Sequence, residues 1–245
     1  MAEKQWFETW FDSPYYHTLY DHRDFAEADT FINNIISYLS PKLGSTFLDL
    51  ACGAGRHSKY INSLGYNVIG VDLSPKSIET AKSFSNSKLN FFVHDMREKI
   101  ANQSFNYVFN LFTSFGYFEN QDDNLRVLSS IKSYLEPQGK VIIDFMNATN
   151  VVNNLVASET IIKQGITFSI EREVSEDIIN KRISFAVQGK KFYFEERVQA
   201  LNLKKFTEFC NKAGFSIVKV FGNYALEEFI EDQSDRLIMV LEEKQ

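Results

Sequence analysis

The feature that most constrains the fold of this 245-residue chain is an alternation of short apolar strands and helical segments between residues 47 and 145. The predicted strands span residues 47–50, 67–71, 89–93, 105–109 and 141–145. Strands that are apolar on both faces and alternate with helices are typical of a parallel sheet covered by helices on both sides. The pattern therefore predicts a doubly wound α/β fold.

An aromatic N-terminal segment precedes the first strand. Apolar residues recur at three- and four-residue steps over residues 25–39, which predicts an amphipathic helix. Asp24 and Glu27 resemble a capping box at its start, and Pro41 marks its end. We assign residues 1–40 to an N-terminal helical cap segment.

The alternation of strands and helices stops after the fifth strand. Residues 159–198 contain long β-type stretches separated by turn signals, which predicts a meander of antiparallel hairpins. Helical patterning returns at residues 203–213, and two strands at 215–221 and 236–241 close the chain. The order of elements indicates one α/β sheet with an antiparallel insertion.

A turn of very small residues follows the first strand. The segment FLDLACGAGRH, residues 47–57, runs from an apolar strand through this turn into a helix. Small residues let a ligand approach the backbone, and a helix N-terminus offers unpaired N–H groups. Open α/β sheets bind ligands outside the carboxyl ends of their strands. This turn is therefore a candidate ligand-binding site.

Two common ligand classes fit this turn poorly. A dinucleotide fingerprint aligned on Ala51 and Gly53 puts Arg56 at the third glycine position, which needs close helix–strand packing. The Gly-Lys-Ser/Thr sequence of a phosphate-binding loop is absent. The segment has instead an acidic residue, Asp49, followed by small residues at alternate positions as far as Gly55.

These residues resemble the first motif of the class I S-adenosylmethionine-dependent methyltransferases, an acid followed by alternating small residues that are usually glycines. Ala51 stands where the first glycine is commonest. The resemblance implies that Asp49 lies near the amino-acid portion of the cofactor and pairs with its α-ammonium. It also implies that Gly53 and Gly55 pass close beneath the cofactor.

Three further motifs follow the next three strands in the order of that family. Asp72 and Leu73 end the second strand, where one carboxylate can hold both ribose hydroxyls. Asp95 and Met96 follow the third strand, where the resemblance implies contacts with the adenine amine and ring. Asn110 opens the loop after the fourth strand, which would face the methyl group.

The resemblance covers nearly the whole chain and implies its architecture. We expect a seven-stranded, mostly parallel sheet with an antiparallel last strand and an inserted antiparallel β lid. The Rossmann-like cofactor-binding domain would comprise residues 41–150 and 200–245, with the lid over residues 151–199 on the acceptor side. The opening FDSPYY, residues 11–16, and the final strand look like one bacterial subgroup of small-molecule methyltransferases.

Structural roles remain open for several of these residues. Asp49 could cap the nearby turn, and Asp72 could cap the helix that begins at Ser74-Pro75. Asp95 and Met96 could be a strand-end acid and a core methionine.

Acceptor-pocket candidates are polar and aromatic side chains of the N-terminal segment, the fourth loop and the insertion. They are Tyr16, Tyr20, Tyr117, Tyr193 and Arg197. In-line transfer from an activated sulfonium mainly requires alignment and exclusion of water. Whether a general base takes part depends on the pKa of the acceptor, so no catalytic residue is assigned. No metal is expected, because the histidines lack metal-ligand spacing.

Charge and cysteine content indicate which kinds of substrate and which cellular compartment to expect. A formal net charge of −6 disfavours a nucleic-acid substrate. Two isolated cysteines indicate a reducing compartment, and no apolar run approaches the length of a membrane span. The expectation is a cytoplasmic methyltransferase, monomeric or homodimeric, acting on a small-molecule acceptor. A regulatory protein that binds the cofactor without turnover, and a methyltransferase acting on a macromolecule, remain as alternatives.

Overall fold

The computed structural model describes residues 5–20 and 25–244. The predicted capping residue Asp24 lies outside the described residues. The helices are, in chain order, α1 (Trp6–Trp10), α2 (Pro14–Leu19), α3 (Phe25–Leu39), α4 (Arg56–Ser63), α5 (Pro75–Lys82), α6 (Gln121–Tyr134), α7 (Ala148–Asn153) and α8 (Leu203–Ala213). The strands are β1 (Thr46–Leu50), β2 (Asn67–Asp72), β3 (Leu89–Val93), β4 (Phe105–Asn110), β5 (Leu135–Met146), β6 (Ser158–Lys163), β7 (Ile166–Ser175), β8 (Ile178–Val187), β9 (Lys190–Gln199), β10 (Phe215–Phe221) and β11 (Arg236–Glu243).

The main sheet has seven strands in the order β10-β11-β5-β4-β1-β2-β3. Strands β1 to β5 pair in parallel, whereas β11 runs antiparallel to both β5 and β10. The predicted doubly wound α/β class, with its antiparallel last strand, is confirmed. Because β1 lies between β2 and β4, the loops that follow these three strands meet at one edge of the sheet.

Two details of the main sheet differ from the sequence prediction. Strand β5 begins at Leu135 rather than at residue 141, because residues 136–139 form a bulge within it and the pairing with β4 resumes beyond them. Strand β3 is not covered on both faces. It lies at the edge of the sheet, and Phe92 and Val93 are each 52% exposed. The short helix α7 was not predicted.

The predicted antiparallel insertion is present as a second sheet of four strands in the order β6-β7-β8-β9. All three pairs of neighbouring strands are antiparallel. A core shared with the N-terminal helices lies against this sheet and comprises Trp10, Leu19, Phe168, Ile170, Ile183 and Phe185. The N-terminal helices therefore pack on the second sheet as well as along the main one.

Polar contacts fix the N-terminal segment at two points. Glu196 on β9 accepts hydrogen bonds from the Trp10 indole at 2.7 Å and from the Tyr20 hydroxyl at 2.6 Å. At the other side, Asp12 accepts from the hydroxyl of Ser74, the residue that caps α5. Residues 5–20 thus bridge the second sheet and the strand-end edge of the main sheet. None of the helices in the described ranges is both long and apolar enough to cross a membrane.

Candidate cofactor and acceptor site

A cavity of about 410 Å³ lies at the carboxyl ends of the parallel strands. Loops after β1, β2, β3 and β4 line it together with the N-terminal segment. Its aromatic lining consists of Phe7, Phe11, Tyr16, Tyr20, Phe112, Tyr117 and Phe118. The volume and the mainly apolar lining with a few polar groups are typical of small-molecule sites.

Most of the predicted cofactor residues line this cavity. They are Asp49, Ala51, Gly53, Asp72, Leu73, Asp95 and Met96. Gly55 and Asn110 do not line it. A Cβ atom at Gly55 would lie 2.7 Å from the Phe91 ring, so this glycine permits close packing of α4 on β3. Asn110 is fully buried and donates to the Leu50 carbonyl at 3.0 Å, which joins the ends of β4 and β1.

The predicted acceptor residues divide into two groups. Tyr16, Tyr20 and Tyr117 line the cavity. Tyr193 is 61% exposed on β9, and Arg197 forms an ion pair with Glu119 at 3.4 Å beside a second, smaller cavity. The structure does not bring these last two side chains to the main cavity.

Sequence reasoning did not single out several lining residues. Phe7, His57 and Phe112 are the most informative of these. Phe112 lies within the loop after β4, which the sequence had marked at Asn110, and His57 lies two residues beyond Gly55, where the small-residue turn ends. Phe7 carried no signal beyond the aromatic richness of its segment.

Asp49 is a buried carboxylate at the end of β1. Its side chain accepts a hydrogen bond from the Ser58 hydroxyl at 2.6 Å, and the residue is 1% exposed. Burial raises the pKa of Asp49 to about 6, although the bond from Ser58 opposes the shift. The carboxylate is therefore ionised at neutral pH at a cost in free energy, and a bound ammonium group would relieve that cost.

Asp72 joins the loops after β1 and β2. One carboxylate oxygen accepts from the Gly53 N–H at 2.8 Å, and the other accepts from the Ser74 N–H at 2.8 Å. Burial raises the pKa of Asp72 against these bonds. Asp72 is not the cap of α5, because the Ser74 hydroxyl accepts from the Ser77 N–H at 3.1 Å and fills that role. Each Asp72 oxygen keeps lone-pair capacity for ligand hydroxyls.

The open space at Gly53 and the charge of Asp95 also suit an adenosyl ligand. No atom lies within 4 Å of a Cβ built on Gly53, so the cavity is open above this turn. At Asp95, burial alone would raise the pKa, but hydrogen bonds from Arg97 outweigh it and lower the pKa. Asp95 is thus an ionised acceptor on the wall, with Met96 beside it.

The loop after β4 has an unusual backbone. Phe112 and Thr113 have φ angles of +56° and +62°, in the left-handed region that β-branched Thr rarely adopts. Such residues cost on the order of 1–3 kcal/mol each and persist where their surroundings hold them. Here the Phe112 N–H donates to the Asp144 carboxylate at 2.8 Å, and the Thr113 N–H donates to the Asp144 carbonyl at 2.9 Å.

Phe112 forms a wall of the cavity with its neighbours from α4. Its ring stacks on the His57 imidazole with centroids 4.7 Å apart, and the Arg56 guanidinium lies 5.2 Å from the ring centroid. Burial, followed by the charge of Arg56, lowers the pKa of His57 to about 3. His57 is therefore a neutral imidazole in this wall.

Metal ligation has no support in the residues that the structure describes. Across 5–20 and 25–244, no three His, Cys, Asp or Glu side chains cluster so as to hold a metal ion. The polar side chains that line the cavity include carboxylates, hydroxyls, the Arg56 guanidinium and the His57 and His94 imidazoles, a mixture that suits an organic ligand.

Comparisons with known proteins agree with this geometry. Residues 47–139 match a family described as a methyltransferase domain. The chain is 27% identical over 123 residues to dTDP-3-amino-3,4,6-trideoxy-alpha-D-glucopyranose N,N-dimethyltransferase from Streptomyces venezuelae, a match that spans 50% of this chain and 51% of that one. It is 26% identical over 205 residues to a putative methyltransferase from Bacillus subtilis, covering 78% of this chain and 81% of the relative.

A solved structure extends the likeness over nearly the whole fold. It is an S-adenosylmethionine-dependent methyltransferase from Clostridium acetobutylicum, with a TM-score of 0.80 at 18% identity and coverage of 94% of this chain and 96% of that one. The domain match and this fold confirm the resemblance found in the sequence. Residues 47–139 thus match a methyltransferase domain, and nearly the whole chain shares the fold of this solved structure.

The first prediction concerns the buried charge of Asp49. Because its folded pKa is raised, the native state binds more protons than the unfolded state between about pH 4 and 6, and stability falls as pH rises through this range. Asp49→Asn should therefore stabilise the free protein above pH 7 by up to about 3 kcal/mol and should have little effect below pH 4. Urea unfolding at both pH values measures this, with exposed Asp232→Asn as the control. Equal effects at the two pH values would contradict it.

The second prediction concerns strain at Ala51. This alanine has a φ of +66° in the turn that lines the cavity. Ala51→Gly should raise the free energy of unfolding by about 1 kcal/mol, because glycine adopts this conformation without a Cβ penalty. Ala54→Gly in the same turn lacks a positive φ and should lower it. Thermal melts compare the two variants, and a destabilised Ala51→Gly would refute the assignment of strain.

Proposed function

We propose that this protein transfers a methyl group from S-adenosylmethionine to a small-molecule acceptor by in-line displacement. The observation that carries the proposal is that Asp49, Gly53 and Asp72, three residues of the cofactor motifs, line one cavity at the strand ends. Asp49 is buried and Asp72 is half-buried, and the turn between them is open to a ligand.

The chain's own residues would hold the cofactor by complementary charge. Asp49 would pair with the α-ammonium, and Arg56, whose charge acts on Asp49, would face the carboxylate of the same amino-acid group. Asp72 would accept from the ribose hydroxyls, while Asp95 and Met96 would meet the adenine. S-adenosylmethionine, when bound, supplies a methyl group already activated by its sulfonium.

The aromatic part of the cavity would orient the acceptor and exclude water. Tyr16, Tyr20 and Tyr117 offer flat walls with polar tips, and Glu196 fixes the Tyr20 hydroxyl from behind. We assign residues 1–40 and 151–199 to this acceptor side, above a Rossmann-like domain at 41–150 and 200–245. Exclusion of water favours a displacement in which a positioned nucleophile meets the methyl carbon directly.

A small acceptor is favoured over a macromolecule. A cavity of about 410 Å³ must take both the cofactor and the acceptor. The Streptomyces relative is, by its name, a methyltransferase of a dTDP-linked amino sugar, so small organic molecules, nucleotide-linked sugars among them, are the class to test first. We propose in addition that the protein is cytoplasmic, acts as a monomer or homodimer, and does not use nucleic acid.

Cofactor binding tests the core of this proposal. Calorimetry should show binding of S-adenosylmethionine and S-adenosylhomocysteine but not of NAD. Asp72→Ala and Gly53→Arg should weaken that binding by at least about tenfold, equivalent to 1.4 kcal/mol, since one removes the ribose acceptor and the other fills the open turn. Exposed Asp232→Ala is the control. Full affinity in both site variants would exclude the site.

The acceptor side is tested by turnover. Incubation of metabolite extracts with labelled cofactor, read by mass spectrometry, identifies an acceptor for the assay. Tyr16→Ala and Tyr117→Ala should then lower kcat/KM by roughly tenfold or more, about 1.4 kcal/mol, while cofactor affinity is retained. Tyr193→Ala and Arg197→Ala, which lie away from the cavity, serve as matched controls. The same loss in all four variants would contradict the assignment of this wall.

A further inference from the structure

We propose that Asp144, Arg236 and Thr113 are positioning residues that hold Phe112, and through it Arg56, in the cavity wall that faces the amino-acid end of the cofactor. This inference rests on the proposed function and adds to it residues that do not touch the cavity. It starts from the backbone of the loop after β4.

The bend at Phe112 and Thr113 is not one that its own residues favour. Two consecutive residues adopt positive φ angles without a glycine or asparagine at either position. Both N–H groups instead donate to one residue of β5, to the carboxylate and to the backbone carbonyl of Asp144. In an ordinary turn, the residues of the turn themselves favour its backbone conformation. Here the hydrogen bonds to Asp144 stabilise the bend instead.

Arg236 at the start of β11 completes this arrangement. Asp144 is fully buried, and burial raises its pKa against the opposing charge of Arg236. The Arg236 guanidinium donates to the Asp144 carboxylate at 2.8 Å and to the Thr113 hydroxyl oxygen at 3.1 Å. The same hydroxyl oxygen accepts from the Met146 N–H at 3.0 Å. One oxygen of Thr113 thus links the loop to two strands of the sheet.

The Phe112 ring connects the bend in this loop to the cavity wall. Phe112 stacks on His57 and lies beneath the Arg56 guanidinium, and all three side chains line the cavity. The ring also packs against Tyr224 and Phe31, with centroids 5.3 Å and 6.4 Å away. Release of the bend would shift the ring against them and let water reach His57. The wall on the methionyl side would then lose its shape, although Asp49 and Asp72 would stay in place.

Thr113→Val and Thr113→Ser form a matched pair of probes. Valine keeps the size and branching but removes the oxygen, whereas serine keeps the oxygen. In Thr113→Val we expect the NMR-measured pKa of His57 to rise from about 3 toward its ordinary value of 6.5, with the resonance assigned by its loss in His57→Gln. We also expect affinity for S-adenosylhomocysteine to fall by about tenfold, and Thr113→Ser to restore both quantities.

Circular dichroism and thermal melting show whether Thr113→Val folds. If it does not, a second variant, Arg236→Lys, tests the same proposal. Arg236→Lys keeps the charge, but an ammonium group cannot match the planar fork that reaches both Asp144 and Thr113. It should shift both readouts in the same direction. An unchanged His57 pKa in folded Thr113→Val or Arg236→Lys, or a serine variant as impaired as the valine one, would overturn the proposal. If the wild-type protein binds no S-adenosyl ligand, the proposed function is wrong. The pKa of His57 in the variants then still tests whether Asp144, Arg236 and Thr113 hold Phe112 in place.

Discussion

Buried carboxylates at the carboxyl ends of parallel strands are the constraint on which the rest of this structure depends. Asp49, Asp72 and Asp144 lie at or near the carboxyl ends of β1, β2 and β5, and burial raises the pKa of each. Such groups are tolerated only when donors satisfy them. The donors come largely from helix α4, with the Ser58 hydroxyl, and from neighbouring loops, with the N–H groups of Gly53, Ser74 and Phe112. Satisfying the carboxylates therefore shapes the loops that form the cavity.

The same rule explains how the N-terminal segment is held over that cavity. Glu196 in the second sheet accepts from Trp10 and Tyr20, and Asp12 accepts from Ser74 at the edge of the main sheet. Aromatic packing supplies the contact area, and these bonds fix the position of the helices on it. The aromatic lining of the cavity is thereby assembled from parts of the chain far apart in sequence.

Much of the site was accessible to sequence reasoning because its residues follow strands in a fixed order. Asp49, Gly53, Asp72 and Asp95 occupy strand ends, and parallel strands bring their ends to one edge. The residues that were expected to bind the acceptor were less predictable. Side chains alternate along a strand, so Tyr193 and Arg197 share one face of β9. The packing of the sheet decides whether that face meets the cavity, and the sequence does not encode it locally.

The sequence by itself determined the strand and helix pattern, the small-residue turn and the order of the cofactor motifs, since these depend on local periodicity and spacing. Only the tertiary structure decided that Gly55 serves helix packing against Phe91, that His57 is a neutral wall residue, and that Phe112 is held in a left-handed bend. Each of these depends on contacts between residues distant in the chain, and no local pattern of residue types encodes them.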